Sequence, residues 1–135
     1  MTNQLPVLVI DDQDGWYEAI APILEEMNCV VHHVNTAKSA FQEIQTIDYN
    51  LIILDLRLTE DKEYDVQGLN ILEKLSKSEK SPPVIIWTGH ATPALRQKAE
   101  WYKAFAFLEK IGDEKSFDRD LFVATVKKAL SRAAS

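Results

Sequence analysis

A single cysteine, Cys29, is all the thiol chemistry that 135 residues offer, so no internal disulfide can form and the chain suits a reducing compartment. Cys29 opens the apolar run Cys29-Val30-Val31 and reads as core packing rather than as a reactive group. No apolar run approaches the roughly 18 residues that a membrane span needs. The start, Met1-Thr2-Asn3-Gln4, lacks the basic residues of a signal peptide. These absences predict a cytoplasmic protein with no membrane partner. No G-x-G-x-x-G follows the first apolar run, which leaves a dinucleotide-binding reading without its fingerprint. Basic residues are the minority: 15 Lys and Arg face 21 Asp and Glu, and the net charge of −6 argues against nucleic acid as the partner of this domain. Repeats, low-complexity tracts and internal linkers are also missing. The chain therefore reads as one domain, 1–135, with its core at about 5–130, long enough to bury a full apolar interior.

What is present centres on Leu51-Ile52-Ile53-Leu54-Asp55, four apolar residues running into a carboxylate. A short, unbroken apolar run of this kind reads as a strand covered on both faces. Around it, strand and helix patterns alternate. Leu5 to Ile10 is an apolar strand ending in Asp11-Asp12. A helix follows from about Asp14, with Trp16, Ile20, Ile23, Leu24 and Met27 on one face and Pro22 bending it. Cys29 to Val34 is a second strand, and Thr36 caps a helix that turns Ala37, Ala40, Phe41 and Ile44 inward. After Asp55 the polar stretch from Thr59 to Asp65 reads as an exposed loop.

A third helix around Leu69 to Ser76 buries Leu69, Leu72 and Leu75. Pro82-Pro83 precedes the strand Val84 to Trp87, which ends in Thr88-Gly89. Pro93 suits the first turn of a fourth helix running to about Tyr102. Ala104 to Leu108 is a fifth strand leading to Glu109-Lys110, and Ser116 caps a last helix carrying Phe122, Val126, Ala129, Leu130 and Ala133. Five strands alternating with five helices predict a doubly wound α/β fold, a parallel sheet with helices on both faces.

In such a sheet every strand's carboxyl end lies on one edge. That edge would carry Asp11, Asp12, Asp55, Thr88 and Lys110 together. Taken singly, each has a plain reading: an Asp-Asp pair caps helices, threonine is common at strand ends, and a lysine is often a solvated charge. Together they are chemistry. Three carboxylates in one crevice repel unless a cation joins them, and hard oxygen ligands with room for water suit Mg²⁺. A hydroxyl and an ammonium facing that metal are what a phosphoryl group needs. Asp55 would be the nucleophile, giving an acyl phosphate. His32, His33 and His90 have no metal-ligand spacing and read as packing or surface residues, with His90 near the rim of the site. Trp16 and Trp87 read as core, whereas Trp101-Tyr102 fits an exposed binding face and the core equally.

This ordered quintet, spread from about Leu5 to Leu130, resembles the receiver domain of two-component response regulators. The resemblance implies a (βα)5 flavodoxin-like sheet of order 2-1-3-4-5 and transfer of phosphate to Asp55 from a histidine kinase or phosphotransfer protein. It implies Mg²⁺ held by Asp12, Asp55 and the backbone carbonyl of Arg57, with Asp11 positioning the metal. Thr88 and Lys110 would contact the phosphoryl oxygens, and Gly89 would keep the site open. Phe107, three before the lysine, would be the switch aromatic. Its movement would change the surface of the fourth helix, fifth strand and fifth helix (Lys98, Trp101, Ala106 and Lys127) for a downstream protein or effector domain. The chain would be no enzyme beyond its own phosphorylation and dephosphorylation. No effector domain follows the last helix, so the domain would act alone or belong to a longer chain.

The pattern departs from the family in three places. Met-Pro does not follow the phosphoacceptor, and Gly68 comes several residues late, so the loop after Asp55 is longer. Ile111 stands where the family carries proline after the lysine. Phe107 has no hydroxyl, so its two positions would differ by burial alone. Two other readings exist. Asp12-Gln13-Asp14-Gly15 resembles the opening motif of haloacid-dehalogenase-type phosphatases, with Asp12 as nucleophile and Asp14 as acid/base, but Trp16 stands where that family wants Thr or Val. A receiver fold could also serve as a docking module independent of phosphorylation.

Overall fold

The computed structural model describes residues 4–56, 67–79, 81–89 and 91–134. The elements alternate as β1 (Leu5–Ile10), α1 (Asp14–Glu26), β2 (Cys29–Val34), α2 (Ala37–Thr46), β3 (Leu51–Leu54), α3 (Gln67–Ser76), β4 (Val84–Thr88), α4 (Pro93–Trp101), β5 (Ala106–Glu109) and α5 (Arg119–Ala134). The five strands form one parallel sheet in the order β2-β1-β3-β4-β5. The central strands are apolar throughout because both their faces are covered. Val7, Val9, Leu51, Ile53, Ile85, Trp87 and Leu108 pack under α1 and α5. Leu8, Ile10, Ile52, Leu54, Val84 and Ile86 pack under α2, α3 and α4. At about 25 cal/mol per Å² of apolar area, these two layers are the main force holding the sheet together.

Local chemistry fixes the element ends. Thr36 accepts the Ser39 N–H at 3.1 Å as the cap of α2. Thr92 does the same for Leu95 at 3.1 Å, ahead of Pro93 in the first turn of α4. Pro22 is on the exposed side of α1, and the helix continues through it to Glu26. Two boundaries fall later than the sequence suggests. β5 begins at Ala106 because the Ala104 N–H is still closing α4, on the Ala99 carbonyl at 3.0 Å. Ser116 does not cap α5. Its hydroxyl pairs with Asp113 Oδ1 at 3.0 Å, and Asp118 Oδ1 accepts the Leu121 N–H at 3.0 Å instead. Between them Phe117 dips into the core against Trp16, Trp87 and Phe122, which delays the helix.

Trp16 and Trp87 are buried, as expected, with ring centroids 5.4 Å apart in an edge-to-face pair. Cys29 is buried as well. On α4 the two readings of Trp101-Tyr102 separate: Tyr102 packs on the core, while Trp101 is 79% exposed. His32 and His33 both pack. His32 Nδ1 lies 2.8 Å from the Tyr49 hydroxyl, which donates to Glu43 at 2.6 Å. His90, Arg57, the loop from Thr59 to Asp65 and the side chain of Ala133 lie outside the described residues. Among the described residues no helix is long and apolar enough to cross a membrane.

Candidate functional site

Strand register assembles the site. Ile10 lies beside Leu54, so the next residues, Asp11 and Asp55, leave adjacent strands at one level. Thr88 lies beside Glu109, so Lys110 emerges one step further along the same edge. Side chains alternate faces along a strand. Carrying that alternation past the strand ends puts Asp11, Asp55 and Lys110 on the α1/α5 side, and Thr88 with Phe107 on the α4 side.

The geometry agrees. Lys110 Nζ donates to Asp11 Oδ2 at 2.7 Å and to Asp55 Oδ2 at 2.9 Å, with all three side chains buried. The indole of Trp16 lies 5.6 Å from the ammonium. Thr88 is fully buried, and its carbonyl accepts the Lys110 N–H at 2.8 Å, tying β4 to the lysine. A Cβ built on Gly89 meets nothing within 4 Å, so the mouth of the site is open there. Asp12 is half-buried and joins Asp11 and Asp55 in a group whose ligand oxygens all lie within 4.8 Å of one another.

The charges in this group do not balance. Three carboxylates face one ammonium, which leaves a deficit that one divalent cation would cancel. Burial raises the Asp11 carboxyl above the usual carboxylate range, because desolvation outweighs the opposing pull of Lys110, and Asp55 pushes the same way as burial. An all-oxygen donor set carrying excess negative charge fits a hard cation such as Mg²⁺. Mg²⁺ at a hundredfold excess over its Kd should stabilise the protein by about 2.7 kcal/mol. In Asp12→Ala the metal-free protein should be no less stable, since one repelling charge is gone, while most of that Mg²⁺ response disappears. Thermal melts across a Mg²⁺ titration read both. An unchanged titration would show that the acidic group is not the metal site.

Several supporting residues escape sequence reading. Gln13 accepts from Lys110 Nζ at 2.9 Å through Oε1, and its backbone N–H donates to Asp11 Oδ1 at 2.8 Å. His33 Nε2 lies 2.7 Å from the Asp11 carbonyl, so this nitrogen carries the hydrogen, and the ring stacks on Tyr17 at 4.0 Å. Arg96 places its guanidinium 4.6 Å from the centre of the Phe107 ring. That contact corrects the expectation that two positions of Phe107 would differ by burial alone. A cation–π pair worth roughly 0.5–1 kcal/mol at an exposed site is also at stake.

Gly68 is late in sequence yet packs on the backbone just past the end of β3. Its N–H donates to the Leu56 carbonyl at 3.2 Å. A Cβ there would collide with the Asp55 carbonyl oxygen and lie 2.5 Å from the Leu56 Cα. Backbone cannot yield as a side-chain tip does, so Gly68→Ala should cost about 1–3 kcal/mol and weaken Mg²⁺ binding by displacing Asp55. Urea unfolding with and without Mg²⁺ measures both effects.

The model of the response regulator receiver domain family matches residues 7–122. The chain belongs to that family. Among curated relatives of this receiver, the transcriptional regulatory protein FixJ of Azorhizobium caulinodans is 31% identical, over 99% of this chain and 59% of its own length. A probable transcriptional regulatory protein, SilR, of Salmonella typhimurium is 27% identical, over 97% of this chain and 64% of its own. The chain thus spans about 60% of the length of these two relatives. The receiver domain of a putative Luxo repressor protein from Vibrio parahaemolyticus superposes with a TM-score of 0.82 at 26% identity, covering 97% of this chain and 93% of that one. A CheY-like receiver from Methanospirillum hungatei shares the fold, with a TM-score of 0.81 at 23% identity and 98% of each chain covered. The phosphatase resemblance of Asp12-Gln13-Asp14-Gly15 gives way to this assignment.

Proposed function

We propose that residues 1–135 act as one receiver domain whose Asp55 accepts a phosphoryl group from a histidine kinase or phosphotransfer protein. The observation that carries this reading is the buried Lys110 ammonium shared by Asp11 and Asp55, beside a carboxylate group with room for one cation. An Asp55 oxygen attacks phosphorus, the bond to the donor's leaving group breaks, and an acyl phosphate remains. Asp11, Asp12 and Asp55, with the Arg57 carbonyl, would hold Mg²⁺, which when bound neutralises charge on the transferring phosphoryl group. Lys110 balances the charge developing on the phosphoryl oxygens, and the Thr88 hydroxyl binds one of them from the α4 side. The same groups serve dephosphorylation, and no other substrate is turned over. Acetyl phosphate with Mg²⁺ should add one phosphoryl group, mapped by mass spectrometry to the peptide containing Asp55. Labelling elsewhere, or none, would defeat the reading.

The output follows from the face that Thr88 shares with Phe107. A phosphoryl group adds about −1.5 to −2 charges at Asp55, and Thr88 moving toward it opens space on the α4 side. Phe107 then leaves Arg96 and turns inward. The surface offered to a downstream protein or effector domain changes at α4, β5 and α5, where Lys98, Trp101 and Lys127 are exposed. Neither nucleic acid nor membrane is a partner of this domain, and its setting is cytoplasmic. Backbone NMR shifts on adding beryllofluoride, a phosphoryl mimic, should spread to this face in wild type and stay near Asp55 in Thr88→Ala. Equal spread in both proteins would remove Thr88 from the coupling.

A further inference from the structure

A lysine ammonium has three hydrogens to give. Those of Lys110 go to Asp11 Oδ2, Asp55 Oδ2 and Gln13 Oε1. Two of these acceptors change character when the site works. Asp55 exchanges its carboxylate charge for an acyl-phosphate bond, and Asp11 lies in the metal-binding group. Gln13 alone is neutral. Its backbone N–H also holds the other oxygen of Asp11, at 2.8 Å, so one residue brackets both partners of the ion pair.

The place of Gln13 in the chain makes this contact informative. It occupies the N-cap of α1, where Ser, Thr, Asp or Asn would satisfy a helix N–H. Gln13 makes no capping hydrogen bond with its side chain, which reaches instead to a lysine 97 residues away. A residue chosen for helix stability would be shorter and would face the helix.

We propose that Gln13 is a positioning residue for phosphoryl transfer: its side-chain carbonyl holds the Lys110 ammonium in the site while Asp55 passes from carboxylate to acyl phosphate. The proposal rests on Asp55 being the phosphoacceptor. Without Gln13, Lys110 still pairs with the two carboxylates at rest. It has one anchor fewer when the Asp55 charge is consumed, which is when its own charge is needed.

The test compares wild type with Gln13→Ser, Gln13→Met and Gln13→Glu. Serine supplies a cap but not the reach, methionine keeps the length without the acceptor, and glutamate restores an acceptor at the same reach. Gln13→Ser should melt close to wild type, the gained cap offsetting the lost hydrogen bond to a charged group, yet label more slowly with acetyl phosphate at saturating Mg²⁺. Gln13→Met should also slow, by roughly tenfold, the scale of one hydrogen bond to a charged group. The ¹⁵N ammonium signal of Lys110, visible when the group is ordered and exchanges slowly, should weaken in both. Gln13→Glu should restore it. A purely structural role would instead move rate and melting temperature together. Wild-type rates in Gln13→Met and Gln13→Ser would overturn the proposal, and so would an unchanged ammonium signal. Absence of label on Asp55 in the wild type would be a separate failure, that of the phosphoacceptor reading.

Discussion

Asp55→Asn should leave the protein folded and wholly unlabelled by acetyl phosphate and Mg²⁺. The carboxamide keeps an oxygen that can accept from Lys110, which lies 2.9 Å from Asp55 Oδ2, so the packing of this buried position survives. It lacks the anionic nucleophile, so no acyl phosphate can form. Removing one of three mutually repelling charges should make the metal-free fold no less stable while weakening Mg²⁺ binding. The remaining carboxylates are poor substitutes. Both Asp11 oxygens are already held, one by the Gln13 N–H and one by Lys110. Asp12 would be the nucleophile only if the chain worked as the phosphatase-type motif suggests. Label that persists in Asp55→Asn and vanishes in Asp12→Asn would therefore revive that reading.

Lys110→Met should have the largest effect on stability. The side chain is about as long, but two buried carboxylates lose the charge that balances them, and breaking a buried pair from one side costs about 3–5 kcal/mol. The loss should depend on pH, and its sign follows from Asp11. Burial holds this carboxyl above the ordinary range, and Lys110 is the main force opposing that rise. Without the lysine it moves further up. An acid whose pKa is higher folded than unfolded contributes stability below its unfolded pKa of about 3.9 and loses it as pH rises through the folded value. The deficit relative to wild type should thus grow from mildly acidic toward neutral pH, and Mg²⁺ should recover part of it. Urea unfolding at several pH values measures the difference. A deficit that stays constant with pH would show that uncompensated charge is not its cause.

Much of this arrangement was legible because a parallel sheet buried on both faces has a strong sequence signature. Leu5–Ile10 and Leu51–Leu54 are apolar at every position, and the charges that follow them mark the functional edge. The residues that fail to read this way are those whose role depends on facing direction or on long-range contact. Ala104 looks like strand but its N–H still closes α4, and Phe105 only begins the pairing, donating to the Val84 carbonyl at 2.8 Å ahead of β5. Ser116 and Asp118 are both good caps, and only the burial of Phe117 decides between them. His33 props the Asp11 carbonyl because β2 lies beside β1, a neighbourhood that no local pattern carries. Gln13 sat beside the acidic pair in the sequence, yet its partner lay 97 residues away.

The closure between the Leu56 carbonyl and the Gly68 N–H makes the intervening segment a detour whose two ends meet at 3.2 Å. Because Leu56 and Gly68 are held together, lengthening the chain between them costs little, about 0.6 kcal/mol for each doubling of loop length. The register of β3 and the start of α3 are fixed outside it. Segments of different length and composition could therefore be exchanged beside Asp55 without disturbing the sheet that presents it. In evolutionary terms, the chain has a slot next to Asp55 where a lineage can rewrite what borders the site while inheriting the sheet unchanged.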